Sequence, residues 1–425
     1  MTIDVTIIGG GMIVHDQILP SIYHLQRLGH VGQINVVDAQ TRQMKRLVNP
    51  RFAQAFPGQS FEAHPSLDVP EDKFHPDLWR EVVGRMAPRN LVLTAVPDEL
   101  HNMMVSHALD CDQHVLCVKP LVHRWEQAEA IMKTAQGRGL FVGVEYHKRF
   151  DRRSLEAREQ YRRGRFGEFR CGDARMIEPY YYRHSNFQNW FTTDRTDPFT
   201  YVGCHYVDLV WFITGLRPVE VSVRGVKGSF PNGTVGYLWS HGRVVFENDA
   251  VLSIIDGLGY PDRGAGTNDQ GITMFCEGDD CGSLIAHDDQ FRGVSHGYVD
   301  DAVGAHFRYV NPDYFRLVPW IGKGLKPVGY GYDSIEANVL AAGSINQQTA
   351  GLDEPKALAK RRELLAAIDE HGIIATPANS NINELVIEAT RLSIVADGLP
   401  AVIEYGDRPC ARLRQGKTGK SQRTE

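Results

Sequence analysis

At 425 residues, with 42% hydrophobic and 23% charged side chains, the chain is long enough for about two to three domains, each with its own core. Its 46 basic and 52 acidic residues leave a formal charge of −6, so no basic surface recommends nucleic acid and no charge asymmetry recommends a membrane. No apolar run approaches the ~20 residues of a bilayer span, no leader pattern precedes the first strand, and the seven cysteines are scattered without a C-x-x-C pair or metal-ligand set, so a cytoplasmic protein is expected.

The first forty residues read as strand, turn, helix and strand. An apolar run over 5–8 leads into Gly9, Gly10 and Gly11, and a second run over 34–37 ends on Asp38. Gly9 permits a tight turn, and Gly11 lets the backbone approach a pyrophosphate seated on the next helix's N-terminus, where free N–H groups favour anions. Met12 and Ile13 follow directly and belong to the same cradle. Asp38 is placed to accept hydrogen bonds from an adenosine ribose, which favours NAD and disfavours the 2′-phosphate of NADP, although Arg42 nearby could stack on adenine or take that phosphate. The third glycine of the fingerprint is Val14, and Pro20 kinks the helix or marks where its regular part begins.

Alternation continues with a helix over 41–47, a strand near 61–63, a helix over 78–86 and a strand over 91–95 that ends on Val96-Pro97-Asp98. A helix over 99–109 carries His101 in its first turn, where a hydrogen bond closes the cofactor pocket. A strand over 114–117 stops at Lys119-Pro120, and a helix over 125–137 and a strand over 140–145 complete a parallel sheet of about six strands. Ligands bind at the carboxyl ends of such strands. Gly9 to Gly11, Asp38, Val96 to Asp98, Lys119 and Glu145 to His147 all fall there, and Ala95 joins Val96 and Pro97 among the expected cofactor contacts.

From residue 219 the pattern changes. Short β-rich runs over 219–226, 234–239, 243–247, 250–255, 272–277 and 283–286 are too closely spaced for helices between them and read as an antiparallel meander. Residues 291–348 look like an irregular elaboration, with a loop over 322–331. Helices over 355–369 and 382–396 and a strand over 401–405 follow, and 412–425 read as a disordered tail.

Four motifs in order, Ile8-Gly-Gly-Gly-Met-Ile13, Ala95-Val-Pro-Asp-Glu-Leu-His101, Val115-Leu-Cys-Val-Lys-Pro120 and Gly203-Cys-His-Tyr-Val-Asp208, resemble the Gfo/Idh/MocA oxidoreductases, the glucose-fructose oxidoreductase and inositol dehydrogenase family. The likeness extends to a helix over 154–163 and to Gly215-Leu-Arg-Pro218. It implies an N-terminal Rossmann domain (1–147), then an α+β domain with a large, mostly antiparallel sheet (148–411) that packs against its partner in a homodimer or homotetramer. The fold class is therefore α/β followed by α+β.

Oxidising an alcohol with NAD needs a group that takes the hydroxyl proton and a donor that steadies alkoxide charge. Lys119, where the family places its catalytic lysine, can do both once burial lowers its pKa. His205 matches the family's substrate-facing histidine on an apolar helix over 202–214, with Asp208 three residues on and nearly on the same face to hold it. Cys204 beside it reads as a small buried apolar residue. Two residues depart from the family pattern. Val118 stands where a glutamate precedes the lysine, and Tyr201 stands where an aspartate precedes the histidine by one turn, so a phenol joins Lys119 and His205 as the third catalytic candidate.

Tyr182 and Trp190, in an aromatic loop over 180–190, match the C–H faces of a sugar. With Lys119, His147, Arg149, Tyr201 and His205 they make up the expected substrate contacts. The sequence thus reads as an NAD-dependent dehydrogenase acting on a secondary hydroxyl of a small-molecule carbohydrate or polyol. An NAD-retaining glycosidase that oxidises C3 transiently is the alternative, and a non-catalytic NAD-binding regulator is the second.

Overall fold

The computed structural model describes residues 2–263, 268–289 and 315–415. The first sheet is parallel and has six strands in the order β3-β2-β1-β4-β5-β6. These are β1 (Ile3–Ile8), β2 (Val31–Val37), β3 (Glu62–His64), β4 (Leu91–Thr94), β5 (His114–Val118) and β6 (Val142–Glu145). The central strands β4 and β5 are almost unbroken apolar runs, as strands covered on both faces require, whereas the edge strand β3 is Glu-Ala-His and stays partly exposed. Helices Leu78–Gly84, His101–Asp110 and Trp125–Arg138 seal one face through Val83, Val105, Leu109 and Ile131. The first crossover begins as a wide π-type turn, Val14–Ile18, and becomes an α-helix at Leu19–Arg27 with Pro20 in its first turn, the position where the missing N–H costs nothing.

The second sheet has eight strands in the order β12-β11-β7-β10-β9-β8-β15-β16. They are β7 (Glu168–Pro179), β8 (Pro218–Ser229), β9 (Val235–Phe246), β10 (Val251–Tyr260), β11 (Asp269–Glu277), β12 (Gly282–Asp288), β15 (Ala401–Glu404) and β16 (Cys410–Leu413), with a separate hairpin of β13 (Arg316–Pro319) and β14 (Leu325–Val328). Its inner face packs on helices Cys204–Thr214 and Ile382–Val395. No helix of the described residues is long and apolar enough to cross a membrane.

Several expectations for this half need correction. The meander β8-β9-β10 is antiparallel, but β7, a stretch with no predicted element, lies between β10 and β11 and runs parallel to β10. The runs over 234–239 and 243–247 are one strand, because the bare Cα of Gly242 makes room for the Phe199 ring, which a Cβ would meet at 2.3 Å. The loop expected over 322–331 holds β14, and the elaboration it belongs to contains the longest helix described, Tyr330–Thr349; residues 290–314 of it lie outside the described residues. The tail expected from 412 starts inside β16, and 416–425 are outside the described residues.

Helix Tyr330–Thr349 returns to the first sheet and covers the face left open by the N-terminal helices. Ile335, Val339, Ala342 and Ile345 join β1 and β4 side chains in one core, and Gly143 on β6 has no Cβ because one would stand 1.9 Å from Asn338 Oδ1. Ile335 has no solvent exposure, so Ile335→Ala should cost about 2–5 kcal/mol. A urea titration followed by circular dichroism would read this as an earlier midpoint.

Candidate active site

The glycine turn has the geometry of a nucleotide cradle. Gly9 lies at φ +103°, and a Cβ there would stand 2.2 Å from the Ala95 carbonyl oxygen, so only glycine lets β1 and β4 meet. Nothing lies within 4 Å of where a Gly11 Cβ would be, which leaves that side open to a ligand. Asp38 accepts from Gly10 N–H at 2.8 Å and from Gln40 N–H at 3.1 Å, which fixes the carboxylate at the mouth of the turn. These residues fit a dinucleotide: an open anion seat, then a carboxylate one strand away. Ile13 and Arg42 are exposed beside it. Met12 packs on the aromatic cluster of the second domain. Ala95, Val96 and Pro97 line the end of β4, and His101, fully buried, ties that loop to the next through the carbonyls of Pro120 (2.7 Å) and Val96 (3.0 Å).

Lys119 follows β5 and points at the second domain. Its Nζ donates to the Tyr201 carbonyl and stands 4.1 Å from the centre of the Tyr201 ring. Burial lowers the ammonium's pKa, opposed by the charges of Cys204, Asp98, Glu178 and Asp256. The expected phenol role of Tyr201 is thus joined by another, since its ring is a platform for the lysine, packed edge-on to Phe187 and Phe191. Tyr182 and Trp190 are half-buried in the same cluster, and burial pushes the Tyr201 phenol further above its usual value.

His205 is buried, and burial, with Lys119, His147 and Lys148 adding to it, holds its imidazole well below the ordinary value. Its Nδ1 has no hydrogen-bond partner among the described residues. Asp208 does not hold it. Both carboxylate oxygens of Asp208 are taken by Arg149, at 2.8 and 2.6 Å, and Asn383 adds a third bond at 2.9 Å. Arg149, expected among the substrate contacts, is spent on this buried pair. Lys148 likewise bonds Gln270 at 2.8 Å. The neighbour of His205 is His147, ring on ring at 4.8 Å, and His147 Nδ1 lies 3.9 Å from Glu145 Oε1. Glu145 is a buried carboxyl pushed up to about 8 by desolvation, against the bonds it accepts from Ser334 and Gln17. Cys204 is buried and its thiol is pushed up to about 12, the inert state expected of it.

Sequence reasoning placed Glu145 at a strand end without a role and passed over Glu178 and Asp256. The available signal for Asp256 was its place in β10, where Leu252, Ile254 and Leu258 alternate inward and an aspartate takes the position between Ile254 and Leu258.

Residues 3–146 match the model of the GFO_IDH_MocA group, described as an oxidoreductase family with an NAD-binding Rossmann fold. Over its N-terminal domain the chain is similar to this family. An uncharacterized oxidoreductase of Schizosaccharomyces pombe is 36% identical over 78 residues, 18% of this chain and 21% of that protein. D-glucoside 3-dehydrogenase of Escherichia coli is 27% identical over 136 residues, 31% of this chain and 37% of that protein. The chain thus spans about a fifth to a third of the length of these curated relatives. The crystal structure of scyllo-inositol dehydrogenase from Lactobacillus casei, with bound NAD(H) and scyllo-inositol, superposes with a TM-score of 0.57 at 14% identity, over 95% of this chain and 99% of that one. The two-domain fold is shared throughout.

Two measurements test the site. Gly11→Val adds bulk only on the open side of the turn, so NAD affinity by calorimetry should fall about tenfold or more while the thermal midpoint stays put. The second concerns the seam between the domains, where Asp98, bonded by Thr196 at 3.0 Å, faces His123 at 3.1 Å. Burial alone would lower His123, but contact with Asp98 outweighs it and the imidazole sits above its ordinary value. That stability is present below the unfolded value of about 6.5 and lost as pH rises through the folded one. Urea midpoints should therefore decline above neutrality in the native chain, and His123→Gln should flatten that limb.

Proposed function

We propose that the chain is an NAD-dependent dehydrogenase that moves hydride to or from a secondary hydroxyl carbon of a sugar, glycoside or cyclitol, with Lys119 and His205 handling the proton. The observation that carries this reading is their meeting. Lys119 comes from the first sheet and His205 from the second domain, and Lys119 Nζ bonds the Tyr201 carbonyl in the turn that runs straight into the helix bearing His205. NAD, when bound, supplies the hydride acceptor. Gly9, Gly11, Met12, Ile13, Asp38 and the Ala95–Pro97 loop would hold it, with Arg42 at the adenine end.

Burial favours the neutral amine of Lys119, which can take a hydroxyl proton. A neutral His205 with a free Nδ1 can accept or donate at the same oxygen. Tyr182 and Trp190 would present ring faces to the sugar, and His147 a polar edge. The D-glucoside 3-dehydrogenase relative supports a glycoside, and the inositol dehydrogenase likeness supports a cyclitol. The division into a nucleotide unit over 1–147 and a substrate unit over 148–411 belongs to this reading. So does a homodimer or homotetramer, supported by the apolar residues Ile255, Phe275 and Leu284 that the second sheet leaves exposed.

The test is NADH absorbance on mixing the protein with NAD and a panel of aldoses, inositols and aryl glycosides. NADH should accumulate with one class of polyol, and Lys119→Met should lower the rate ~10² to 10⁴-fold with NAD still bound. Confirmed NAD binding without turnover on the whole panel would sink the reading.

A further inference from the structure

We propose that Asp256, on β10 of the second domain, is the charge partner of Lys119, supplying from another strand the carboxylate that Val118 and Tyr201 do not provide. This rests on the reading of Lys119 as the proton-handling amine.

Asp256 has no solvent exposure, and neither carboxylate oxygen has a hydrogen-bond partner among the described residues. Directly across the ladder on β9 stands Ser240, also buried, whose hydroxyl is unpartnered as well. A position flanked inward by Ile254 and Leu258 is one where an apolar side chain would pack without that desolvation. The carboxylate is aimed at the π-type turn Phe199–Gly203. A Cβ on Gly203 would stand 2.5 Å from Asp256 Oδ2, so the glycine is what lets the carboxylate reach the turn. Two residues earlier in the same turn, the Tyr201 carbonyl accepts from Lys119 Nζ. Amine and carboxylate thus grip one turn from its two ends.

The groups facing this pair are few. Around Lys119 stand Cys204, Asp98, Glu178 and His205 besides Asp256. Around Asp256 stand Asp197, which Arg391 binds at 2.8 Å, Glu178 and Cys204. Burial, Asp197 and Glu178 push the Asp256 carboxyl up against the pull of Lys119, and burial draws Lys119 down, so their proton affinities converge. In the oxidising direction the substrate O–H bond breaks and an N–H bond forms on Lys119. The Asp256 carboxylate, against the same turn but without a hydrogen bond to Nζ, stabilises the ammonium so formed through space. Asp256 is a positioning residue in this scheme, since it acts through Lys119.

The experiment uses the full chain with Asp256→Asn and Asp256→Val, the second suited to a buried strand position. Acylation of Lys119 by acetic anhydride, read by peptide mass spectrometry across pH without cofactor, gives the amine's titration midpoint. Both variants should lower it by about one unit, so that labelling near neutrality rises about tenfold. Their thermal midpoints should hold or rise, because an unpartnered carboxylate has been removed. With the substrate found above, kcat should fall tenfold or more and its pH profile shift, with KM within about twofold. Equal labelling midpoints in the native chain and both variants would overturn the pairing, as would a lower thermal midpoint in both with unchanged labelling. A native chain silent on every alcohol, with the labelling midpoint still shifted, would remove the dehydrogenase reading and leave the pairing standing.

Discussion

The constraint on which the site depends is the removal of one amine from water. A lysine at the end of a Rossmann strand would ordinarily extend into solvent. Lys119 is covered because the second domain brings the turn Phe199–Gly203 over it, offering a carbonyl oxygen and a ring face in place of hydration. The turn is wound wider than an α-helix and is held from behind: Asp197, at its start, bonds the N–H and hydroxyl of Thr200 and is itself held by Arg391 from helix Ile382–Val395. A helix near the C-terminus thereby sets the environment of a residue at position 119, through one ion pair and one turn.

The same logic explains why the histidine and its expected carboxylate part company. Spacing of three along a helix puts His205 and Asp208 on neighbouring faces, and that much is local. Which group Asp208 binds is decided by Arg149, whose fork matches both carboxylate oxygens in a place closed to water. His205 is left to pack on His147 and Tyr146. It is a neutral ring by environment, and its polarity is available to whatever enters the site.

Much of the first domain was legible because its signals are local. Uninterrupted apolar runs, glycines at the turn and an acid ending the second strand each depend on a few adjacent residues. The second domain was legible in β8 to β12 and opaque in β7. There Arg170, Cys171 and Gly172 break the alternation where the partner strand shifts register between Phe275 and Cys276. Helix Tyr330–Thr349 was missed because Gly329, Gly331 and Gly343 lie at its start and within it, and because its apolar stripe is matched to a sheet more than 180 residues earlier in the chain. At the site, Lys119, His205 and the glycines came from spacing. Glu178 and Asp256 did not, since an acid inside an apolar strand is visible in sequence while what it faces is a property of the assembled sheets.

The return of helix Tyr330–Thr349 to the first sheet bears on how this protein is made. Synthesis proceeds at about 5–20 residues per second, and N-terminal units generally fold first. Here the six strands leave the ribosome well before the helix that completes the cover of one of their faces, so β1 and β4 wait with that face covered only by the first helix while β7 to β12 of the second sheet are added. A nascent chain at that stage presents apolar surface to chaperones and to other chains. Its commitment to the native state comes only when the late helix docks.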